Sequence, residues 1–200
     1  GKKVTVVVEL KARFDEANNI KWSKQLKKAG VKIVHSIPSP KAHAKIALVK
    51  FKKQSKLPSI GLLATGNLNE NTARFYTDHI LMTAHKEMLK DLEKTFLLLA
   101  TIKKNPKRYK MDFKHLLVAK FNLREKFIKL IDNEIQNKRK GLAAGITIKL
   151  NNLEEEVLIE KLYEASNAGV KIQLIVRGIC CLVPEIPGRS ENITVRRIVD

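Results

Sequence analysis

The sequence predicts an α/β protein built from two similar units, and three observations carry that reading. Short β-branched runs, Val4-Thr5-Val6-Val7-Val8 first among them, have the composition of strands. Segments with helical apolar spacing alternate with them, as in mixed or parallel sheets. The joint Ala29-Gly30-Val31-Lys32-Ile33 recurs as Ala168-Gly169-Val170-Lys171-Ile172, each time between a helix-like and a strand-like segment. The shared order of strand, helix, Ala-Gly and strand points to an internal duplication.

The elements follow in order. After the first strand, residues 14–29 read as a helix, with Ala17, Ile20, Trp22 and Leu26 as apolar positions and Asp15 and Glu16 opposing the dipole in the first turn. Gly30 stops it. Residues 31–37 form a second strand, Pro38 and Pro40 a turn, residues 43–51 a third strand and residues 59–65 a fourth. A short helix over 71–76 and a strand over 79–83 come next. Residues 86–102 are helical, with Met88, Leu92, Thr95, Phe96 and Leu99 on one side. The basic, Pro106-containing stretch 103–110 reads as a linker. Residues 113–140 then form one long helix or two shorter ones, with Leu116, Leu117, Phe121, Leu123, Phe127, Leu130, Ile131 and Ile135 as the apolar face. The second unit follows: strand 146–150, helix 153–168, strand 170–176, a loop from Cys180, and a strand over 193–199.

Composition narrows the function. The 200 residues carry 39 Lys and Arg against 20 Asp and Glu, a net charge of +19, which calls for a polyanionic partner: nucleic acid, anionic lipid or chains of phosphate. Aromatic residues make up only 6%, too few for base-stacking platforms, so specific nucleic-acid binding loses ground. A hydrophobic share of 44% excludes a disordered chain. No apolar run approaches the ~18 residues of a membrane span, and Lys2 and Lys3 lead into a strand rather than a signal-peptide core. Cys180 and Cys181, adjacent and alone, exclude a disulfide scaffold and a cysteine zinc site and suit a reducing cytoplasm. They read as a small buried pair. His35 and His79 read as strand residues, and His85 and His115 as solvated residues flanking helices.

The sharpest local feature is His43-Ala44-Lys45. Alternate strand positions share a face, so an imidazole and an ammonium stand side by side where they could meet phosphate: the Lys offsets oxygen charge and a neutral ring nitrogen attacks phosphorus. Thr65-Gly66-Asn67 ends the next strand and could cradle phosphate with its backbone N–H groups and the Asn67 amide. Arg74 and Tyr76 lie just beyond. Arg13 follows the first strand and Arg177 the matching strand of the second unit, places where α/β folds bind anionic ligands.

These residues carry a resemblance. Residues 8–16 (Val-Glu-Leu-Lys-Ala-Arg-Phe-Asp-Glu), Lys41-Ala42-His43-Ala44-Lys45, Thr65-Gly66-Asn67, Thr72-Ala73-Arg74-Phe75-Tyr76-Thr77-Asp78, residues 145–152, Val176-Arg177-Gly178-Ile179-Cys180, Ser190-Glu191-Asn192-Ile193 and Ile198-Val199-Asp200 resemble polyphosphate kinase in the same order. The resemblance covers an internal part of that enzyme. It implies two domains of phospholipase D-like fold: part of the first over 1–102, a basic linker and helix over 103–141, and the start of the second over 142–200. It implies reversible transfer of the terminal phosphate of ATP to polyphosphate, with Mg²⁺. His43 stands at the phosphohistidine nucleophile, Lys45 beside it, Arg13 at a position associated with the magnesium–phosphate site, and Tyr76 and Arg177 at positions that contact ATP. Asn67 is grouped with the substrate-binding residues. ATP, ADP and polyphosphate are the implied ligands. A homo-oligomer and a cytoplasmic location, open to peripheral association at the inner membrane, are implied for the intact enzyme. Asp78 and Glu9 are the candidates for orienting His43.

The sequence departs from the family pattern in places. The phospholipase D pattern expects Asp seven positions after the strand His, and Lys50 stands there, which weakens a phosphodiesterase reading. Ala64 replaces a Gly, and Ser39-Pro40 replaces Gly-Leu. The family's second functional His follows the Ile-Val-Asp segment, where this sequence ends at Asp200, so little or no turnover is expected of these 200 residues alone. A non-catalytic polyanion-binding module is the alternative of another class, and a phospholipase D-type phosphodiesterase is a third reading.

Overall fold

The computed structural model describes residues 2–9, 16–35, 42–52, 54–101 and 111–198. Arg13, the Ser39-Pro40 turn, the linker over 103–110 and Asp200 lie outside the described residues. The chain divides into two compact units, Gly1–Leu116 and Leu117–Asp200. An α/β architecture holds in both, as the alternating sequence pattern predicts.

In the first unit, β1 (Thr5–Val8) and β2 (Lys32–His35) pair in parallel and are joined through α1 (Glu16–Lys28). Strands β3 (Lys45–Val49), β4 (Ile60–Ala64) and β5 (Ile80–Thr83) form an antiparallel sheet in the order β3-β4-β5. A 3-10 turn, Thr72–Arg74, sits between β4 and β5. Helix α2 (Lys86–Thr101) packs on this sheet, where Gly61 lets it approach: a Cβ there would lie 2.6 Å from Leu89 Cδ2 and 2.9 Å from Leu92 Cδ2.

The second unit contains α3 (Leu123–Arg139), β6 (Gly145–Leu150), α4 (Glu156–Asn167), β7 (Lys171–Val176) and β8 (Ile193–Arg197). The three strands are parallel in the order β6-β7-β8. Its core is one cluster: Ile131 and Ile135 from α3, Ile159, Leu162 and Ala165 from α4, and Ile172, Leu174 and Val176 from β7, with Ile193 at the start of β8. Alternate residues of β7 are buried, as a pleated strand beneath a helix requires.

The two βαβ pieces end their helices in the same way. Gly30 (φ +82°) and Gly169 (φ +85°) adopt the left-handed conformation. Gly30 N–H donates to Lys27 O (3.0 Å) and Val31 N–H to Leu26 O (3.0 Å), while Gly169 N–H donates to Ser166 O (2.8 Å) and Val170 N–H to Ala165 O (3.0 Å). These are matching Schellman-type caps. The repeated Ala-Gly-Val-Lys-Ile joint is therefore a repeated backbone geometry.

Several expectations need correction. The helix predicted to begin at Phe113 begins at Leu123. The N–H groups of Lys114, His115 and Leu116 donate to the Asp91 carboxylate, Val118 N–H donates to Asn122 Oδ1, and Lys120 takes φ 67°, so the stretch turns instead of coiling. His115 consequently lies in a turn and flanks no helix, its ring centroid 5.6 Å from that of His85. Helix α3, grouped with the linker in the sequence reading, contributes Ile131 and Ile135 to the second core. On α1 the inward stripe is Asn19, Ser23 and Leu26, and Trp22 is 56% exposed. That stripe spans i, i+4 and i+7, which the apolar residues alone did not mark. Cys180 is half-buried and Cys181 exposed, so they are not a buried pair. His79 immediately precedes β5.

Candidate active site

The antiparallel sheet of the first unit gathers its candidates at one end. Register pairs Lys45 with Ala64 and Ala64 with Ile80. The start of β3, the end of β4 and the start of β5 therefore lie side by side, and the segments just outside them hold His43, Thr65-Gly66-Asn67 and Tyr76 to His79.

His43 is exposed and precedes β3 by two residues. Lys45 Nζ lies 3.0 Å from its Nε2 and 3.2 Å from its Nδ1, and donates to His43 O at 3.1 Å. Partial burial of Lys45 pulls its ammonium below the usual lysine range, and the Asp78 carboxylate pulls the other way. Asp78 Oδ1 accepts from Thr65 Oγ1 (2.8 Å), and Thr65 Oγ1 in turn accepts from His79 N–H (3.0 Å). Thr65 N–H donates to His79 O at 3.1 Å, so that donor already has its partner. The Asp78 carboxylate occupies the space a Cβ at position 66 would need, which makes Gly66 the residue that admits it. Glu9, after β1, accepts from Ala42 N–H at 3.2 Å and so ties down the residue before His43. Asn19 Nδ2 donates to Glu9 O at 2.8 Å.

His43, Lys45, Asp78, Thr65 and Gly66 thus form one cluster. Asn67 and Tyr76 are exposed on the β4–β5 connection that carries Thr65 and Asp78. Of the two residues named for orienting His43, Glu9 holds its neighbour's backbone and Asp78 acts on Lys45. Among the described residues no group of three or more His, Cys, Asp or Glu side chains is placed to hold a metal ion.

Arg177 belongs to the second unit, directly after β7. Its Nε donates to Asn151 Oδ1 at 2.7 Å, and its backbone N–H to Leu150 O at 3.2 Å.

Sequence reasoning missed Asp91, which is 1% exposed on α2. Burial alone would push its carboxyl up. The N–H of His115, the Lys94 ammonium (2.9 Å) and the N–H groups of Leu116 and Lys114 hold it instead at about 2, below the ordinary 3.8. Asp91 stands between Leu89 and Leu92 in the sequence, but its carboxylate faces the backbone of residues 114–116 and not the sheet.

Residues 1–105 match the family model described as polyphosphate kinase C-terminal domain 1, and residues 116–200 that described as polyphosphate kinase C-terminal domain 2. The chain belongs to the polyphosphate kinase family. It is similar to the polyphosphate kinases of Vibrio parahaemolyticus and Escherichia coli K12, at 46% and 44% identity over all 200 residues. It spans 28% of the length of each of these relatives. The crystal structure of polyphosphate kinase from Porphyromonas gingivalis matches with a TM-score of 0.82 at 46% identity, over the whole of this chain and 32% of that one. No helix among the described residues is long and apolar enough to cross a membrane.

Proposed function

We propose that this chain is part of the catalytic body of an enzyme that moves the terminal phosphate of ATP reversibly onto polyphosphate, with His43 as covalent carrier. The observation that carries the reading is the exposed His43 imidazole with the Lys45 ammonium 3.0 Å from its Nε2. In the first half-reaction an unprotonated ring nitrogen attacks the γ-phosphorus, an N–P bond forms, and the bond to the bridging oxygen breaks with its electrons leaving on ADP. In the second, a terminal oxygen of polyphosphate attacks the same phosphorus and the N–P bond breaks. A phosphoramidate keeps much of the transfer potential of a phosphoanhydride, so both directions are open.

Lys45 would offset charge on the phosphoryl oxygens in transit. Tyr76, Asn67 and Arg177 would bind the nucleotide. Arg13 would act on the phosphate oxygens from the segment after β1. Among the described residues His43 has one ammonium beside it, Lys45, and the two nearby carboxylates already have partners, Asp78 in Thr65 and Glu9 in the N–H of Ala42. That donor set fits Mg²⁺ held chiefly by nucleotide phosphates, as this ion commonly is. When bound there it would neutralise charge on the phosphates. A phospholipase D-like architecture for both units, a homo-oligomeric enzyme and a cytoplasmic or peripheral inner-membrane location belong to the same proposal, which the family membership supports. The net charge of +19 gives a polyphosphate chain its counter-surface.

Incubation of the full-length enzyme with γ-labelled ATP and Mg²⁺ tests this. Acid-labile, base-stable label that disappears in His43→Ala is expected. Salt-sensitive polyphosphate binding without any label would instead describe a polyanion-binding module.

A further inference from the structure

We propose that Asn151 is a positioning residue for Arg177, setting the plane of its guanidinium toward an anionic phosphate. This rests on the reading that Arg177 contacts nucleotide phosphate. Register pairs Leu150 with Val176, so the residues after the two strand ends, Asn151 and Arg177, stand beside each other. Asn151 Oδ1 accepts the Nε–H of Arg177 at 2.7 Å. A guanidinium carries its five N–H donors in one rigid plane, so a bond at Nε orients the whole fork.

The surrounding turn is clamped by the same short segment. Arg177 N–H donates to Leu150 O (3.2 Å), Gly178 N–H to Asn151 O (2.7 Å) and Ile179 N–H to Asn152 Oδ1 (3.0 Å). A Cβ at position 178 would run into Asn152 Oδ1 and lie 3.1 Å from Asn151 O, so the close approach requires glycine. The two asparagines divide the work: Asn152 holds the backbone of the turn and Asn151 holds the side chain that leaves it. The chemistry of the acceptor matters as well. An amide oxygen fixes a guanidinium without cancelling its charge, whereas a carboxylate there would form an ion pair and compete with the anion.

The test uses full-length enzyme carrying this sequence and steady-state kinetics in ATP. Asn151→Ala is expected to raise the KM for ATP about tenfold with a much smaller change in kcat, as loss of a hydrogen bond to a charged group would. Asn151→Asp keeps an acceptor at the same reach, so thermal melting should match wild type while KM still rises, by about fivefold. Arg177→Ala should raise KM at least as much as Asn151→Ala, and the double variant Asn151→Ala/Arg177→Ala no further than Arg177→Ala alone. A raised KM in Arg177→Ala beside an unchanged KM in Asn151→Ala overturns the inference alone. So do multiplicative losses in the double variant, or a wild-type KM in Asn151→Asp. An unchanged KM in Arg177→Ala overturns the underlying reading and the inference with it.

Discussion

Lys45 Nζ sits 3.0 Å from His43 Nε2 and 3.2 Å from His43 Nδ1, so a single ammonium stands at both ring nitrogens of the only His-x-Lys in the chain. In the proposed reaction a phosphoryl group on either nitrogen would meet that charge. Lys45→Met keeps the length of the stem and deletes the charge. In the full-length enzyme it should lower kcat by about 100-fold with a smaller effect on the KM for ATP, the range seen when one oxyanion donor is removed. Steady-state kinetics would show it, and a wild-type kcat would contradict the role given to Lys45.

Asp78 keeps the Lys45 ammonium from falling further below the lysine range than burial takes it. Asp78→Asn removes that opposing charge, so the Lys45 pKa should drop further. A heteronuclear NMR titration of the lysine Nζ resonances measures this directly. An unchanged or raised pKa would show that the carboxylate does not act on Lys45.

Asp91 makes an acid-sensitive joint in the first unit. Its carboxyl pKa is lower in the fold than in the unfolded chain, so its contribution is fully present above about 3.8 and is lost as pH falls through about 2. The shift corresponds to about 2 kcal/mol. Urea melts followed from pH 6 to pH 2 should show wild type losing about that much more stability than Asp91→Asn. At neutral pH Asp91→Ala should cost about 2–4 kcal/mol, because three backbone N–H groups and the Lys94 ammonium lose their acceptor.

Gly169 carries the C-terminal cap of α4 at φ +85°, where a Cβ is strained. Gly169→Ala should destabilise the second unit by about 1 kcal/mol. Gly30→Ala, at φ +82° with nothing within 4 Å of its added Cβ, isolates the backbone effect in the first unit. The Cβ added at Gly169 also meets Lys138 Cε at 3.1 Å, so a loss in denaturant melts at least as large as that of Gly30→Ala would confirm that the two caps are the same device, and a smaller one would contradict it.

Much of this fold was legible because its signals are local. The β-branched runs, the Ala-Gly joints and the apolar spacing of 156–167 each specify their element within a few residues. The stretch 113–122 was not legible. Its backbone donors are taken by Asp91, more than twenty residues earlier, and helical periodicity says nothing about a distant carboxylate. Trp22 misled for a related reason: a large apolar side chain counted toward the inward face of α1, but the helical phase turns Ser23 inward. At the site, the His-x-Lys spacing pointed to His43 and Lys45. The bonds around that pair, Thr65 to Asp78 and Ala42 N–H to Glu9, join strand ends brought together only by the fold.

The most direct test of the account is to find where phosphate resides after the full-length enzyme meets ATP. Mass-spectrometric mapping under alkaline conditions, which preserve phosphoramidates, should place a single N-linked phosphate on the peptide containing His43, and it should disappear when polyphosphate is added as acceptor. Phosphate on any other residue, or turnover with His43 never modified, would contradict it.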